Sequence, residues 1–428
     1  MFDDAIVGAG IVGLAHAYEL AKRGRRVVVL ERSPRAVGAS IRNFGMLWPI
    51  GRPAGESREL ALESLAIWRD VLQSTGIWFE KSGSLHAARS DDEARVLKEF
   101  AEQANQDSFA CEWLDPASVV ARSPRVRLEG LIGGLFSPNE ICVDPRRVVA
   151  ELPLKLARDF EVAFVFGAEV VEVDPPRVRT ANGDEYRAKN VIICSGSDIG
   201  RTFPNAFAEI GLVPCKLQMM RTAPIAEPLG PMLAAGLTLK HYPGFAACPS
   251  LAHLIQRFER EFPRHVELGI HVLVSQTPEG ELTIGDSHEY GPAIEPFDKT
   301  EIDDLILSYL NLFFDSSDLK IASRWHGVYL KHPSADYAIA RPAEGVILVN
   351  GVGGAGMTLS FGIAARTANE ILGIKAAHTH AHTIANAELA ASRHVEHAEN
   401  ANAEFPASRH AEHADKSATE PVFQRNDP

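Results

Sequence analysis

The first thirty residues of the chain constrain its fold more than any other segment. In "FDDAIVGAGIVGLAHAYELAKRGRRVVVLE" a short apolar run precedes the pattern GxGxxG at Gly8, Gly10 and Gly13, and a helix pattern follows. Four apolar residues then form a second strand, which ends at Glu31. A continuous apolar strand is typical of a sheet covered on both faces. Strand, glycine turn, helix and acid-terminated strand together predict a dinucleotide-binding βαβ unit.

Each residue of this pattern has a separate expected role. Gly8 allows the tight turn, Gly10 lets the backbone approach a pyrophosphate, and Gly13 permits close packing of helix on strand. The N-terminus of the helix favours the phosphate charge. Glu31 is expected to accept hydrogen bonds from an adenosine ribose, and an acid there disfavours a 2′-phosphate. The alternative is a glycine-rich turn that binds nothing, which this combined context disfavours.

A second glycine-rich turn lies near the other end of the sequence. In "GVILVNGVGGAGMTLSFGIAARTANEIL" a strand is again followed by a glycine turn and a helix. Glycines let backbone N–H groups approach a ligand closely, so two such turns serve either two parts of one large ligand or two ligands. A glycine cluster that only packs one helix against its neighbour is the alternative.

Composition narrows the partners of the chain. Its 428 residues exceed the usual single-domain length, and 46% hydrophobic with 23% charged residues is ordinary for a globular enzyme. The net charge of −13 disfavours a nucleic-acid partner. No apolar run is long enough for a transmembrane segment, and the acidic start "MFDDAIV" is unlike a signal peptide, so a cytoplasmic location is expected. The five cysteines form no CxxC pair, so no metal site and no disulfide framework are expected.

Periodicity and composition divide the rest of the chain. Apolar residues at helical spacing predict a helix at 56–75. A polar helix is expected at 91–106 and another helix near 300–313, and "LGIHVLVSQ" and "LTIG" are typical of strands. From about Ala376 the chain becomes rich in Ala and His and contains the repeat "ASRHVEHAEN" and "ASRHAEHADK". Residues 376–428 are expected to be a low-complexity tail, whose histidine pairs could contact a metal only if the tail were helical.

After Glu31 the chain continues as "RSPRAVGASIRNFGMLWP", a loop rich in Gly, Ser and Asn, rather than as further βα units. With "VGAGIVG", "ICSGSD", "KLQMMRT" and "RWHGVY…GVGGAGMTLSFG", this loop resembles the D-amino-acid oxidase / glycine oxidase / sarcosine oxidase superfamily of FAD enzymes over residues 3–375. The resemblance implies an α/β (α+β overall) fold, in which a Rossmann-like FAD-binding domain is interleaved with a smaller substrate domain on a mixed or antiparallel sheet. The expected FAD-binding domain comprises residues 1–76, 145–206 and 331–375, and the substrate domain comprises 77–144 and 207–330.

The resemblance also implies which residues hold FAD. The first glycine turn takes the pyrophosphate, residues 38–40 lie along the pyrophosphate and ribityl chain, and residues 43–46 approach the flavin ring. Residues 168–170 meet the adenine side, and the start of the last helix faces the N1–C2=O edge of the flavin, where helix N–H groups favour reduction. The expected cofactor-binding residues are Gly8, Gly10, Gly13, Glu31, Arg32, Ala39, Ser40, Asn43, Gly45, Met46, Val170, Ser195, Gly196, Gly354, Gly356, Met357 and Thr358.

The chemistry implied by the resemblance is amine oxidation. Enzymes of this superfamily oxidise a carbon–nitrogen bond to an imine that water hydrolyses, and O₂ or another acceptor reoxidises the flavin. The expected task of the protein is to orient the reacting C–H bond and keep the amine neutral, so no strong catalytic acid or base is required. Some relatives attach FAD through a Cys or a His. The nearest residue here is His326, where those relatives use Cys, so noncovalent FAD is expected and His326 is the one catalytic candidate.

The residues expected to bind the negative charge of the substrate differ from those of the relatives. Sarcosine-oxidase-like proteins carry a Lys near the position of Thr358, which cannot supply that charge. Basic and aromatic residues gather instead in "LKHYPGF" and "RWHGVYLKHP", and as a set they suit a dianionic head group. Taken one at a time, they are more readily strand-end charges and core aromatics. The substrate-binding candidates are Trp48, His241, Tyr242, His326, Tyr329 and Lys331.

The substrate itself is narrowed only by a finer resemblance. "GASIRNFGMLWP" together with "GVGGAGMTLSFG" resembles a bacterial subfamily associated with phosphonate breakdown. It implies a substrate such as 2-aminoethylphosphonate or its N-methyl derivative. Glycine, sarcosine or a D-amino acid is the alternative substrate. A nicotinamide-dependent dehydrogenase would need no loop for a flavin ring and would purify colourless, and a noncatalytic FAD-binding module would be yellow yet unbleached by any amine. Oxidase or dehydrogenase activity and the oligomeric state stay open.

Overall fold

The computed structural model describes residues 1–374, which contain twenty strands and eleven α-helices. The strands are β1 (Phe2–Val7), β2 (Val27–Glu31), β3 (Met46–Leu47), β4 (Phe79–Glu80), β5 (Ser84–Ala88), β6 (Glu112–Leu114), β7 (Gly133–Ser137), β8 (Ile141–Val143), β9 (Ala163–Phe166), β10 (Val170–Asp174), β11 (Arg177–Thr180), β12 (Glu185–Ile193), β13 (Val213–Thr222), β14 (Met232–Ala234), β15 (Leu273–Gln276), β16 (Leu282–Gly285), β17 (Glu289–Tyr290), β18 (Ile321–Lys331), β19 (Ala338–Ala340) and β20 (Val346–Asn350). The helices are α1 (Ile11–Lys22), α2 (Glu56–Thr75), α3 (Asp91–Gln106), α4 (Pro116–Arg122), α5 (Pro145–Phe160), α6 (Pro204–Ile210), α7 (Leu237–His241), α8 (Leu251–Glu261), α9 (Pro263–Glu267), α10 (Thr300–Phe313) and α11 (Gly356–Ile371). The predicted tail, 376–428, lies outside the described residues.

The first sheet has eight strands and a parallel centre. β1 pairs in parallel with β2 and β12, β2 with β9, and β12 with β20. β2 and β20 are buried along their whole length, as their continuous apolar sequences require of strands covered on both faces. Since parallel strands end at the same edge of a sheet, the first glycine turn after β1 and the second after β20 share one edge.

Helices cover one face of this sheet. An apolar cluster joins α1, α2, α5 and α11 to the side chains of β1 and β2 that point to the same face. α2 and α11 approach closely because Gly362 has no side chain; a Cβ there would lie 2.8 Å from the carbonyl oxygen of Leu60. Trp68 Nε1 also donates a hydrogen bond to the Met357 carbonyl, 2.8 Å away. α2 thereby fixes the position of the first turn of α11.

The second sheet has nine strands and is mainly antiparallel. β13 pairs with β18, β16 and β17, and β15 with β14 and β16, all antiparallel, while β14 and β5 run parallel. Its core contains side chains of α3, α8 and α10. A parallel-centred sheet beside a mixed sheet confirms the predicted fold class.

A third sheet of three short strands, in the order β3-β8-β4, supports the loop before α2. The buried Glu140 lies beside it: its carboxylate accepts hydrogen bonds from the Ile50 backbone N–H (3.1 Å) and from Ser84 Oγ (3.0 Å). Glu140 therefore links the chain just after Trp48 to the start of β5.

The segments that form each sheet can be compared with the predicted ones. The strands of the first sheet lie within 1–76, 145–206 and 331–375, and those of the second within 77–144 and 207–330 except for the last residue of β18. The division into an FAD-binding and a substrate domain itself stays a prediction. None of the helices in residues 1–374 is long and apolar enough to cross a membrane.

Candidate functional site

Both glycine-rich turns line the same cavity, which has a volume of about 640 Å³. Ligand pockets usually occupy about 300–1,000 Å³. The cavity begins at the carboxyl edge of the first sheet and reaches the second sheet, where residues of β13, β15 and β18 line it. Of the two alternatives left by the sequence, the shared cavity favours one large ligand held by both turns.

The first glycine turn is shaped by close backbone contacts. Gly8 has φ = 104°, and a Cβ there would lie 2.5 Å from the carbonyl oxygen of Cys194. A Cβ on Gly13 would lie 2.0 Å from the Gly8 carbonyl oxygen, whereas one on Gly10 would meet only Ser40 Oγ, at 3.1 Å. Gly8 and Gly13 are therefore required by the fold itself, and Gly10 leaves its space to the cavity.

Glu31 ends β2 with a buried carboxylate at the wall of the cavity. Its Oε2 accepts a hydrogen bond from the Ala9 N–H (2.9 Å) and its Oε1 one from the Ser33 N–H (3.0 Å). The carboxylate thus ties the glycine turn to the following loop. Because an ionised carboxylate offers about four acceptor sites, Glu31 can still accept hydrogen bonds from ligand hydroxyl groups.

The loop after Glu31 is held by its own side chains. Ser40 Oγ accepts a hydrogen bond from the Ile11 N–H at the start of α1, 2.9 Å away. Asn43 Nδ2 donates to the carbonyls of Ala39 (3.1 Å) and Ser40 (3.0 Å), and its Oδ1 accepts from the Gly45 N–H (2.8 Å). The polar atoms of Asn43 are therefore engaged within the loop, and its role is to fix the loop's shape along the cavity.

The second glycine turn leads into α11, whose first residues line the cavity. Thr358 Oγ1 accepts a hydrogen bond from the Trp48 N–H (2.9 Å), so the threonine side chain is engaged with the loop before α2. The N–H groups in the first turn of a helix have no carbonyl partner within the helix, and they favour negative charge. This edge of the cavity suits an electron-rich group of a ligand.

Most of the residues predicted to bind the cofactor line this cavity. Gly13 and Gly45 do not; both pack against neighbouring backbone, and a Cβ on Gly45 would lie 1.9 Å from the Val143 carbonyl oxygen. Arg32 lies at the cavity and also pairs with Asp198. The lining residues among those predicted are Gly8, Gly10, Glu31, Arg32, Ala39, Ser40, Asn43, Met46, Val170, Ser195, Gly196, Gly354, Gly356, Met357 and Thr358.

The substrate-binding candidates come together with one exception. Trp48, His241, Tyr242, Tyr329 and Lys331 line the cavity, whereas His326 does not. His326 Nδ1 lies 2.8 Å from Asp298 Oδ1 instead. Side chains alternate along a strand, so Tyr329 and Lys331 share one face of β18 and His326 belongs to the other. The structure therefore separates the catalytic candidate His326 from the cavity.

Three polar residues that lie together at the cavity are among those that the sequence did not single out. They are His271, just before β15, and Asp286 and His288, just after β16. The ring centroids of His271 and His288 lie 3.8 and 4.3 Å from that of His241 and 5.2 Å from each other, so the three rings form a compact triangle. His271 lies inside the predicted strand "LGIHVLVSQ", and Asp286 directly follows "LTIG". These polar residues in and beside predicted strands were the available signal, but their sequence spacing matches no known motif.

Burial makes this group of residues nearly uncharged. It lowers the pKa of His288 to about 4 and the pKa values of His241 and His271 well below their ordinary value. The same burial raises the pKa of Asp286 well above its ordinary value. The cause in each case is loss of water around the charged form. At neutral pH the imidazoles are therefore unprotonated.

Lys331 is one of two cations around the cavity that form no ion pair within residues 1–374; the other, Arg42, donates from Nη1 to the His326 carbonyl oxygen, 3.1 Å away. Arg52 pairs with Asp336, and Arg32 with Asp198. Within residues 1–374, no carboxylate forms an ion pair with Lys331; its Nζ lies 5.8 Å from the centre of the Tyr290 ring. Lys331 thus offers a positive charge that this part of the chain leaves available at the cavity.

Curated relatives cover only part of the chain. L-2-hydroxyglutarate dehydrogenase of Escherichia coli (strain K12) is 26% identical over 56% of this chain and 61% of its own length. Glycine oxidase of Geobacillus kaustophilus (strain HTA426) is 27% identical over 52% of this chain and 62% of its own length. Monomeric sarcosine oxidase of Bacillus sp. (strain B-0618) is 30% identical over 46% of this chain and 51% of its own length. The alignments thus span about three-fifths or less of these relatives.

Solved structures and a family model match a larger part of the chain than the curated relatives do. L-proline dehydrogenase from P. horikoshii superimposes with a TM-score of 0.71 at 21% identity, over 88% of this chain and 94% of that one. Glycine oxidase from Bacillus cereus ATCC 14579 superimposes with a TM-score of 0.71 at 19% identity, over 88% of this chain and 96% of that one. At these identities the likeness establishes the fold. The family model described as "FAD dependent oxidoreductase" matches residues 3–370.

Proposed function

We propose, from the premise that the chain belongs to the FAD-dependent oxidoreductase family, that it oxidises the carbon–nitrogen bond of a small anionic amine. The chain is an enzyme of this family and its cofactor is FAD. The residues present fit this group: two helix N-termini and two glycine turns line one cavity, with Glu31 at its wall. When bound, FAD supplies the oxidation of the amine to an imine.

Attachment of FAD is proposed to be noncovalent. β18 contains no cysteine, and the loop at residues 38–46 contains no histidine, so the two positions by which covalent relatives hold the cofactor lack the required residue types. We propose O₂ or another acceptor as the oxidant of the reduced flavin. The proposed location is the cytoplasm. The proposed FAD-binding and substrate domains correspond to the two large sheets.

The observation that carries the proposal for an anionic substrate is the unpaired charge of Lys331. An ammonium group without a carboxylate partner among residues 1–374 is free to pair with a ligand anion. Tyr329 lies on the same face of β18 as Lys331, and Tyr242 also lines the cavity. Two hydroxyl groups are therefore available as hydrogen-bond donors in addition to the ammonium group. Burial raises the pKa of Asp286, which weakens its opposition to an anion.

The uncharged surroundings also suit the reacting amine. An amine must be neutral to be oxidised at its C–N bond, and loss of water inside the cavity disfavours the charged ammonium form. The chain's own contribution is thus to bind the anionic end and to keep water and charge away from the amine.

Among anionic amines, we propose 2-aminoethylphosphonate or its N-methyl derivative. A phosphonate has three oxygens and up to two charges, so dispersed donors such as Lys331, Tyr329 and Tyr242 suit it better than a single bidentate arginine would. The likeness of "GASIRNFGMLWP" to a phosphonate-associated subfamily supports the same substrate. An ordinary amino acid is the second candidate, favoured by the relatives that are glycine and sarcosine oxidases.

The test is anaerobic reduction of the bound flavin by a panel of amines. The panel contains 2-aminoethylphosphonate, its N-methyl derivative, glycine, sarcosine and an uncharged amine of the same chain length. The proposal predicts that the aminophosphonates bleach the flavin at the lowest concentrations. Preference for glycine or sarcosine would support the second candidate, and bleaching by the uncharged amine at equal concentration would contradict an anion site.

A further inference from the structure

We propose that His241, His271 and His288 form a binding site for a divalent transition metal of the zinc type, with Asp286 beside them. Resting on the proposed function, we further infer that this metal holds the anionic head of the substrate. The sequence predicted no metal site, because these residues lie at no recognised ligand spacing and meet only in the folded chain.

The three histidines already place their ring nitrogens close together. One nitrogen from each ring lies within 4.8 Å of the others. Zinc bound to imidazole nitrogens at about 2.0–2.1 Å in tetrahedral geometry requires nitrogens about 3.4 Å apart. The ring nitrogens would therefore have to approach one another by up to about 1.4 Å to share one ion.

Unpartnered polar atoms point to a missing ligand. Both ring nitrogens of His271 are buried and have no hydrogen-bond partner in residues 1–374, and neither has Asp286 Oδ1. Asp286 Oδ1 lies 3.2 Å from His271 Nε2, without the alignment that a hydrogen bond needs. A buried polar atom without a partner is costly in free energy. A metal ion would give one His271 nitrogen the partner that the protein does not supply; the second ring nitrogen cannot bind the same ion.

The ring of His288 is oriented as a metal ligand would be. Its Nδ1 lies 3.0 Å from the Gly269 carbonyl oxygen, which places the proton on Nδ1 and leaves the lone pair on Nε2. Histidine ligands in metal sites typically donate their second nitrogen to such a group. His271 and Asp286 exchange two backbone hydrogen bonds, N to O at 3.2 and 2.9 Å, so their relative position is fixed.

The unprotonated state of these three rings favours a metal ion over a bare anion as their direct partner. Burial keeps the imidazoles unprotonated at neutral pH, and an unprotonated imidazole offers a lone pair to a metal but no charge to an anion. Lys331 faces His241 and His288, and Lys240 acts on His241 from its own helix. These two positive charges oppose a metal ion, and an anionic substrate bound beside the metal would offset them.

The same charges suggest how the substrate would be held. A phosphonate or carboxylate between the metal and Lys331 places one negative group between two cations, which lowers the repulsion between them. Both His288 and Lys331 line the cavity, so this anion would lie within it.

The metal site is tested on the full-length, FAD-containing protein, dialysed against chelator and titrated with Zn²⁺ by calorimetry. We expect one tight equivalent, weakened at least about 100-fold in each of His271→Ala and His288→Ala, since each removes a ligand. Asp286→Asn, which preserves shape, is expected to weaken binding about 10-fold or more. The tail supplies the matched control: a variant carrying both His394→Ala and His397→Ala should keep the tight equivalent. Flavin absorbance and melting temperature check that each variant is folded.

Three results would overturn the metal site. They are the lack of a tight equivalent, a tight equivalent that survives both His271→Ala and His288→Ala in folded protein, and loss of the equivalent in the tail variant alone. Co²⁺ provides a second readout, because tetrahedral nitrogen and oxygen ligands give visible bands at longer wavelength than the flavin. We expect these bands in the wild type and their loss in His288→Ala.

The substrate role is tested with methylphosphonate, which has no amine to be oxidised. We expect its dissociation constant to fall at least 10-fold when Zn²⁺ is bound, and an unchanged constant would overturn this role. The two levels of inference fail separately. Oxidation of 2-aminoethylphosphonate by metal-free protein would overturn the metal's role and leave the proposed function intact. Zn²⁺ binding in a protein whose flavin no anionic amine reduces would contradict the proposed function and leave the metal site intact.

Discussion

At the scale of single residues, Glu31 both fixes the loops around the site and lines the cavity itself. Its two carboxylate oxygens hold Ala9 and Ser33 through backbone N–H groups, and the residue also lines the cavity. The sequence pattern predicted the acid at the strand end. It could not predict the internal hydrogen bonds, because they depend on how the two loops fold back on the strand.

Glu31→Ala should weaken binding of FAD by about 1.5–3 kcal/mol, the usual loss for hydrogen bonds to a charged group. The Ala9 and Ser33 N–H groups lose their acceptor as well, so the apoprotein should also become less stable. Fluorescence titration of FAD into apoprotein measures the first effect and urea unfolding the second. Glu31→Gln, which keeps the size and one acceptor, should lose less. Wild-type FAD affinity in Glu31→Ala would show that Glu31 does not hold the ribose, and wild-type stability would show that it does not hold the turn.

Glu140 provides a pH-dependent test remote from the cofactor turns. Burial raises the pKa of this carboxyl group to about 7. A folded-state pKa above the ordinary value of 4.5 means that the group's stabilising contribution is complete below about pH 4.5 and is lost as the pH rises through 7. Glu140→Gln does not titrate, so it should be more destabilised relative to the wild type at pH 5 than at pH 8. Urea unfolding of both proteins at these pH values measures the difference. A difference independent of pH would contradict the raised pKa.

At the scale of secondary-structure elements, the sequence predicted long periodic segments well. The helices predicted at 56–75, 91–106 and 300–313 are observed as α2, α3 and α10. Each has a polar and an apolar face, and burial of the apolar face agrees with the local pattern. α5 was not predicted; it contains Pro153 in its interior, a residue that normally interrupts a helix.

Strand pairing explains what the sequence missed in the site. His271 and Asp286 are neighbours because β15 and β16 pair antiparallel, a contact that no sequence spacing encodes. His326 was grouped with Tyr329 and Lys331 by proximity in sequence, but strand alternation sends it to the other face of β18. Alternation alone could have separated them; the partner Asp298 could not have been foreseen.

The first glycine turn allows cofactor binding and folding to be separated by mutation. Gly10→Val should abolish retention of FAD while leaving a folded apoprotein, because the side chain would enter the cavity. Gly13→Ala is the matched comparison: its Cβ would lie 2.0 Å from the Gly8 carbonyl oxygen, so the fold itself should be destabilised. Flavin absorbance after gel filtration and the apoprotein melting temperature measure the two effects. Stoichiometric yellow colour in Gly10→Val would contradict the role of the turn.

At the scale of the whole molecule, one cavity unites the two ends of the sequence. The first glycine turn follows β1, the second follows β20, and both strands pair with β12 in a parallel arrangement. The second sheet contributes β18, which carries Lys331 to the cavity. The family resemblance predicted this two-part arrangement. The composition of the substrate wall depends on contacts between distant segments and required the structure.

The central claim is that FAD and an anionic amine share this cavity, with Lys331 binding the anion. It is tested most directly by the anaerobic reductive half-reaction of Lys331→Met, with Lys240→Met as the control; Lys240 is exposed and does not line the cavity.

With 2-aminoethylphosphonate, the dissociation constant should rise about 10- to 100-fold in Lys331→Met, the loss expected for a charge-assisted hydrogen bond. The limiting rate of flavin reduction should stay within about 3-fold, because a charge that binds the substrate and transition state equally alters binding alone. Lys240→Met should match the wild type in both constants. An unchanged dissociation constant in Lys331→Met, or an equal rise in Lys240→Met, would contradict the account.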